Sequence, residues 1–390
     1  MSDAMTVAIG MSGGVDSTMA AWMLKQQGHD VVGLTMQLSD GSLSPSVERR
    51  SGCYGPGEVR DIAAAKAAAE RIGIPHVTVT LAEEYRRCVL DYFREEYRAG
   101  RTPNPCVVCN REMKFGLLIE RARRQGVRVD FFATGHYARV EFDEGRGLFR
   151  LLRGVDPFKD QSYFLARLTQ DHLRQVLFPL GEWTKEALIP LAREVGLGEI
   201  ADREESQDFL EGADYTPLFE PSDSQPGPIR DSTGRVLGRH RGIIHYTIGQ
   251  RKGLGIASTE RLYVKELQPD TNTIVLGRRD EVMMDSCRVE DVSWISGVSP
   301  VNGTPCLVRL RYRHSGANAT LHREPDGAWR AEFEEPQFAV APGQVAVFYD
   351  GDEALGGGWI GTRALISSPS SACPQDSNPQ KAGLSPRRGQ

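Results

Sequence analysis

The chain has 390 residues, a net charge of −5, 40% apolar residues and seven cysteines. At this length two or three domains are expected instead of one core. No apolar run approaches the roughly 18–20 residues of a membrane span, Met1-Ser2-Asp3-Ala4 opens neither basic nor apolar, and an odd, unevenly spaced cysteine set does not make a secreted disulfide framework. The expectation is therefore a cytoplasmic protein with no membrane partner.

In chain order, an apolar strand, Val7-Ala8-Ile9, runs into Gly10-Met11-Ser12-Gly13-Gly14-Val15-Asp16-Ser17 and a helix that ends near Gly28. Gly10, Gly13 and Gly14 permit positive φ and leave no side chain in the way, so successive backbone N–H groups can close on an anion. Ser12 and Ser17 add hydroxyls, and the helix points its positive end at the same spot. This is not a GxxxxGK[ST] loop: no lysine follows the glycines, and Asp16 stands beside them. A carboxylate next to a phosphate nest is useful with a cation between them, which points to Mg²⁺ on a pyrophosphate.

Asp30 to Leu38 reads as a buried strand, so the first unit is parallel. Ligands lie beyond the carboxyl ends of such strands, which places Met36 near a nucleotide. A polar loop precedes an Ala-rich helix, Glu58 to Ile72; Pro75 to Leu81 is a third strand and Ala82 to Ala99 a helix. The next stretch is Arg101-Thr102-Pro103-Asn104-Pro105-Cys106-Val107-Val108-Cys109-Asn110. Its prolines interrupt helix, and helical spacing resumes from Arg111 to Gln125, so the CxxC pair sits at a helix N-terminus. There the dipole, Arg101, Arg111 and Lys114 are expected to stabilise thiolates. No second CxxC is present to complete a zinc ribbon.

Val129 to Thr134 is a strand that ends in Gly135-His136-Tyr137. Gly135 allows a ring close to the backbone, and His136 is placed to touch phosphate or RNA. A hairpin from Arg139 to Arg153 leads to Lys159-Asp160-Gln161-Ser162, where Asp160 or Ser162 can cap the next helix. Leu173 to Leu197 is expected as a helix containing Pro190. From Pro226 the pattern changes to β structure, with a basic, Gly-rich loop from Gly242 to Gly255, a hairpin from Arg261 to Leu276, and an antiparallel barrel between Cys287 and Thr362. Beyond Leu365 the composition is that of a disordered tail.

The expected fold class is thus α/β: a parallel-sheet domain over 1–205, a β-rich domain over 206–284, an antiparallel β-barrel over 285–365 and a tail over 366–390. Basic residues cluster despite the acidic total. Eleven Arg and Lys stand against five Asp and Glu from Arg86 to Arg128, and five against none from Ser232 to Thr259. Two such segments in a nucleotide-binding protein point to an RNA or DNA partner.

Ser12 to Ser17 resembles the PP-loop of the ATP pyrophosphatases, which attach AMP to an oxygen and release pyrophosphate. With Asn104-Pro105-Cys106-x-x-Cys109-Asn110, Ala133-Thr134-Gly135-His136-Tyr137, Lys159-Asp160-Gln161-Ser162, Glu205-Ser206-Gln207-Asp208, Tyr246-Thr247-Ile248-Gly249-Gln250-Arg251 and Arg311-Tyr312-Arg313, the chain resembles the tRNA-specific 2-thiouridylases over about 350 residues. The resemblance implies adenylation of the wobble uridine at its C2 oxygen, attack by a sulfur nucleophile, and loss of AMP. It assigns ATP to Gly10, Met11, Ser12, Gly13, Gly14, Val15, Asp16, Ser17, Met36 and Gly135. Cys109 becomes the thiol beside the target base, and Asn104, Pro105 and Cys106 line the flipped uridine. Lys159, Asp160, Gln161, Arg311 and Tyr312 would contact tRNA, joined by His136 and Gln344. The implied partners are tRNA and a persulfide donor protein or sulfide, and the implied state is a monomer. Other PP-loop tRNA modifiers, of the lysidine or 4-thiouridine synthetase type, and a non-catalytic ATP- and tRNA-binding protein are the rival readings.

The chain departs from the family twice. Many members carry a second essential cysteine where this chain has Leu210, and Cys106 replaces an aspartate. Two routes for sulfur follow: a persulfide relay that closes a disulfide between Cys106 and Cys109, or an iron–sulfur cluster on Cys106 and Cys109, with Cys53 the better third ligand and Cys88 a buried packing residue.

Overall fold

The computed structural model describes residues 5–39, 52–203, 208–210 and 214–362. The expected tail and residues 205–207 of the Glu205–Asp208 motif lie outside them. The first domain is built on β1 (Thr6–Gly10), α1 (Val15–Gln26), β2 (Asp30–Gln37), β3 (Gly52–Tyr54), α2 (Glu58–Ile72) and β4 (His76–Thr80). A long helix follows, α3 (Ala82–Tyr85) running through a wider-wound π segment, Arg86–Asp91, into α4 (Tyr92–Arg98). A second composite helix joins α5 (Pro105–Val108), a π segment, Cys109–Leu117, and α6 (Leu118–Arg124). Helix therefore begins at Pro105, earlier than the spacing suggested, because proline is well suited to a first helical position and Asn104 Oδ1 accepts from Val107 N at 3.3 Å.

The chain continues with β5 (Phe131–Thr134), the hairpin β6 (Ala138–Asp143) and β7 (Leu148–Arg153), α7 (Ser162–Leu165), α8 (Gln170–Leu173), β8 (Val176–Leu177), α9 (Lys185–Glu194), α10 (Gly198–Ala201) and β9 (Asp208–Leu210). The long helix expected over Leu173–Leu197 is thus replaced by a strand, a turn and the shorter α9. Pro179 and Gly181 cause the break. A Cβ at Gly181 would lie 2.1 Å from the Ala138 carbonyl oxygen, so this turn is pressed against β6.

Five parallel strands form the first sheet in the order β4-β2-β1-β5-β8. Side-chain alternation along β1 sends Val7 and Ile9 to a layer with α1, α2 and α9, and Ala8 to a layer with the two composite helices. The chain reverses direction across β1, which has β2 on one side and β5 on the other. Such a switch point opens a crevice at the strands' carboxyl ends.

The second domain is a four-stranded sheet ordered β11-β10-β13-β12, from β10 (Gly227–Asp231), β11 (Val236–His240), β12 (Tyr263–Gln268) and β13 (Thr273–Gly277). The third is a closed six-stranded antiparallel barrel of β14 (Met283–Trp294), β15 (Thr304–Arg309), β16 (Ala317–Arg323), β17 (Trp329–Phe338), β18 (Val345–Asp350) and β19 (Glu353–Ile360), closed by β14 on β19. β7 adds to β19, pairing Leu151 with Ala354, so the hairpin of the first domain extends the barrel wall. No described helix is long and apolar enough to cross a membrane.

Candidate active site

The loop between β1 and α1 lies at the switch point. Of its three glycines only Gly13 takes positive φ, at +77°, which corrects the expectation for Gly10 and Gly14. Gly13 is also packed tightly: a Cβ there would meet Ala64 Cβ and Ala65 N at 2.9 Å. Ser17 Oγ receives a hydrogen bond from Ser12 N at 3.2 Å and donates to the Gly14 carbonyl at 3.1 Å. Thr18 Oγ1 donates to the same carbonyl at 2.9 Å. Met11 N reaches the Leu34 carbonyl at 2.8 Å, and Thr35 Oγ1 donates to the Met11 carbonyl at 2.8 Å, tying the loop to β2. Val15 and Met11 are buried, Met36 is half-buried at the end of β2, and Ser12 faces solvent.

Gly135 proves necessary for a different reason from the one expected. Its Cβ would lie 2.8 Å from Asp16 C and Ser17 N, so the first turn of α1 itself fills the space. Asp16 is already engaged: Lys185 Nζ lies 2.7 Å from Oδ1, and the Tyr137 hydroxyl donates to that oxygen at 2.8 Å. Arg203 Nη1 donates to the Gly13 carbonyl at 3.3 Å. Neither cation was found from sequence, because each lies far along the chain from the loop. One carboxylate is nevertheless a usual protein share for Mg²⁺ that arrives on phosphate oxygens, so Asp16 fits that ion.

The cysteine helix stands on the other side of β5. Phe115 packs on Phe132 with ring centroids 5.5 Å apart, and on the His136 ring at 6.1 Å. His136 bonds Thr134 Oγ1 through Nδ1 at 2.7 Å. Burial first, and Lys114 second, hold its pKa well below the usual value, so the imidazole is neutral. Cys109 departs from expectation in the same way. Burial pushes its thiol up to about 11, Lys114 opposes that rise, and negative charge on Cys53 adds to it. The helix dipole does not prevail; Arg101 is committed to Glu96 and Arg111 to Glu112. Asn110 donates to the Phe164 carbonyl at 3.2 Å, while its Oδ1 is buried with no hydrogen-bond partner.

Cys53, expected only as a metal ligand, belongs to this neighbourhood. β3 pairs in parallel with β9, matching Gly52 with Asp208 and Tyr54 with Leu210. Tyr54 stacks on Tyr85 at 5.3 Å, and Tyr85, wholly buried, feels charge on Cys109, Cys53 and Cys106. Cys53 and Cys109 are free thiols, Cys53 exposed. Among the described residues no three His, Cys, Asp or Glu side chains are arranged to hold a metal ion. The donor set therefore does not fit an iron–sulfur cluster, which normally takes at least three cysteines.

The residues assigned to tRNA divide into two groups. Arg311 is exposed and Lys159, Tyr312 and His136 are half-buried. Asp160 instead turns inward, 5% exposed. It accepts from Ser162 N at 3.1 Å and pairs with Arg309 at 2.9 Å; the N-cap of α7 is Gln161, with no side-chain cap, in place of the expected Asp160 or Ser162. Gln161 Oε1 accepts from Tyr137 N at 3.0 Å, and Gln344 Nε2 donates to the Pro103 carbonyl at 2.9 Å, fastening the barrel to the turn before buried Asn104 and Pro105.

A Gly-rich anion cradle at the switch point of a parallel sheet, with an acidic residue in place of the loop lysine, defines a PP-loop enzyme that uses ATP. Family models match in three blocks: a tRNA methyl transferase HUP domain over 5–210, a tRNA methyl transferase PRC-barrel domain over 218–278 and an aminomethyltransferase beta-barrel domain over 284–360. Full-length relatives carry a different activity in their names. The tRNA-specific 2-thiouridylase MnmA of Lachnoclostridium phytofermentans is 42% identical over 91% of this chain and 99% of that protein. That of Geobacter metallireducens is 43% identical over 91% and 96%, and that of Endomicrobium trichonymphae 40% over 92% and 100%. The chain belongs to the tRNA-specific 2-thiouridylase family, the ATP-dependent tRNA-uridine 2-sulfurtransferases.

Proposed function

We propose that this enzyme replaces the C2 oxygen of the wobble uridine of tRNA with sulfur in two steps at one crevice. The carboxyl end of β5 carries the reading: Gly135 backs the phosphate cradle and His136 packs on the cysteine helix. An activated base need not travel between the two chemistries. In the first step the uridine O2 attacks the α-phosphorus of ATP, the bond to pyrophosphate breaks, and the ring N3 proton passes to solvent. Phosphorylation turns a poor leaving group into a good one. The Ser12–Ser17 loop holds the phosphates, with Asp16 toward Mg²⁺, Met36 and Gly135 beside the nucleotide, and Asn104, Pro105 and Cys106 around the flipped base. The buried Asn110 Oδ1 is an acceptor that an incoming N–H would satisfy.

In the second step the terminal sulfur of a Cys109 persulfide bonds to C2 and AMP leaves with the oxygen. A second thiolate then attacks Cys109 Sγ, the S–S bond breaks, and the sulfur stays on the base as a thiocarbonyl. The two cysteines are oxidised to a disulfide, which a dithiol reductant must reopen. Cys106, three residues away on the helix, has the spacing for that role. Cys53 is the second candidate, favoured by its electrostatic contact with Cys109. The tRNA rests on Lys159, Gln161, Arg311, Tyr312 and the exposed Arg251 and Lys252. Residue 160 contributes by anchoring, since its side chain is spent on Arg309.

Mass spectrometry of tRNA nucleosides from a deletion strain tests the reading. Loss of 2-thiouridine derivatives, restored by the wild-type gene and not by Cys109→Ser, is expected. Intact 2-thiouridine with loss of lysidine or 4-thiouridine would transfer the protein to a rival activity. A brown protein after anaerobic purification, with absorbance lost in Cys106→Ser, would replace the relay by a cluster.

A further inference from the structure

The phosphate cradle has no lysine of its own, and the fold supplies one. α9 begins at Lys185, whose ammonium lies 2.7 Å from Asp16 Oδ1 across 169 positions of sequence. Its side chain is 16% exposed. Three bonds fix the start of this helix. Lys185 N donates to Asp156 Oδ2 at 2.9 Å, and Asp156, itself 6% exposed, accepts from Phe158 N at 2.9 Å through its other oxygen. Thr184 Oγ1 accepts from Ala187 N at 3.2 Å. Asp16 is held in turn by the Tyr137 hydroxyl, and Tyr137 N by Gln161 Oε1. A cation is therefore aimed at the first turn of α1, where Gly13 opens the backbone and Ser12 presents a solvent-facing hydroxyl. A compact ammonium on a four-carbon stem can leave a carboxylate for a phosphate oxygen within reach without moving the backbone.

We infer that Lys185 binds the β- and γ-phosphates of ATP at this loop, with Asp16 as the residue that orients it. The inference rests on the ATP reading above. In the adenylation step the bond from the uridine oxygen to the α-phosphorus forms as the bond from that phosphorus to the bridging oxygen breaks. The electron pair stays on pyrophosphate, and Lys185 neutralises the charge that builds there without giving up a proton. AMP, which lacks those phosphates, is bound without it.

Binding of Mg²⁺-pyrophosphate, ATP and AMP to the full-length protein, measured by calorimetry, tests this directly in wild type, Lys185→Met and Lys185→Arg. Lys185→Met should weaken pyrophosphate and ATP by about tenfold or more and leave AMP within about twofold. Lys185→Arg should fall between. Asp16 is kept in every variant, so a purely structural lysine would cost AMP and pyrophosphate alike, whereas a ligand of the outer phosphates costs pyrophosphate and ATP alone. Pyrophosphate affinity unchanged in Lys185→Met, or equal losses for AMP and pyrophosphate, would each overturn the assignment. A wild-type protein that bound none of the three ligands would bring down the ATP reading and this inference together.

Discussion

At the phosphate cradle charge is met by charge: Asp16 by Lys185, and the Gly13 carbonyl by Arg203. Across β5 the opposite holds, since Cys109 packs against an apolar cluster and burial drives its thiol pKa to about 11. Triphosphate is always charged, so its site gains from donors and cations fixed in advance. A sulfur carrier gains from being quiet. In the proposed role, a thiol kept protonated at neutral pH ignores stray electrophiles, and the nearby Lys114 favours the anionic form when sulfur is received or passed on.

The sharpest break between the two regions should come from Cys109→Ser. Thiolation, read as 2-thiouridine in tRNA, should fall by about 10³-fold or more, as for loss of a covalent nucleophile, with ATP affinity within about twofold. Asp16→Asn should do the reverse, lowering kcat/KM for ATP by about 10²-fold and leaving the alkylation rate of Cys109 unchanged. An effect of Asp16→Asn on that rate would mean that the two regions are not separate.

The pH dependence sharpens the contrast. With its pKa near 11, Cys109 is a thiolate in only about one molecule in 10⁴ at pH 7, so iodoacetamide labelling should climb about tenfold per pH unit until it levels off near 11. Removing the nearby charge with Lys114→Met should move the plateau to still higher pH. A plateau near the free-thiol value would refute burial as the cause. Peptide mapping after one turnover should recover Cys109 joined to Cys53 or to Cys106, and neither disulfide would eliminate the relay.

Smaller effects are expected where RNA rests. Eight of the eleven basic residues between Arg86 and Arg128 are paired with carboxylates, whereas Arg241, Arg251 and Lys252 are exposed. Arg251→Ala with Lys252→Ala should reduce the salt slope of tRNA binding by about one to two units, and Arg98→Ala, which frees Asp223, should leave that slope alone. Equal slopes in both variants would mean that the paired segment carries the RNA. Truncation after Leu365 should change tRNA affinity least of all.

Much of the fold was readable because parallel units announce themselves: an apolar strand, glycines, then helix, as at Val7 to Ser17. The CxxC helix was legible only from Arg111 onward, because the prolines read as helix breakers, whereas Pro105 opens the helix and Asn104 caps it. What escaped depends on distance or burial. Lys185 meets Asp16 only after α9 folds onto α1, and no local pattern marks it. The thiol of Cys109 was expected to be acidic from its neighbours in sequence, but those arginines pair with Glu96 and Glu112, leaving desolvation in control. The inward turn of Asp160 likewise depends on Arg309, which arrives from the barrel 149 positions away. The helix expected over Leu173–Leu197 failed at Pro179 and Gly181, where local turn chemistry outweighs apolar spacing.

Activation of the uridine oxygen by ATP before sulfur arrives is tested most directly by the fate of that oxygen. With tRNA carrying ¹⁸O at C2 of the wobble uridine, purified enzyme, Mg²⁺-ATP and a persulfide source, mass spectrometry of the products should find the label in AMP. Label in water or in pyrophosphate, with 2-thiouridine formed at the normal rate, would contradict adenylation.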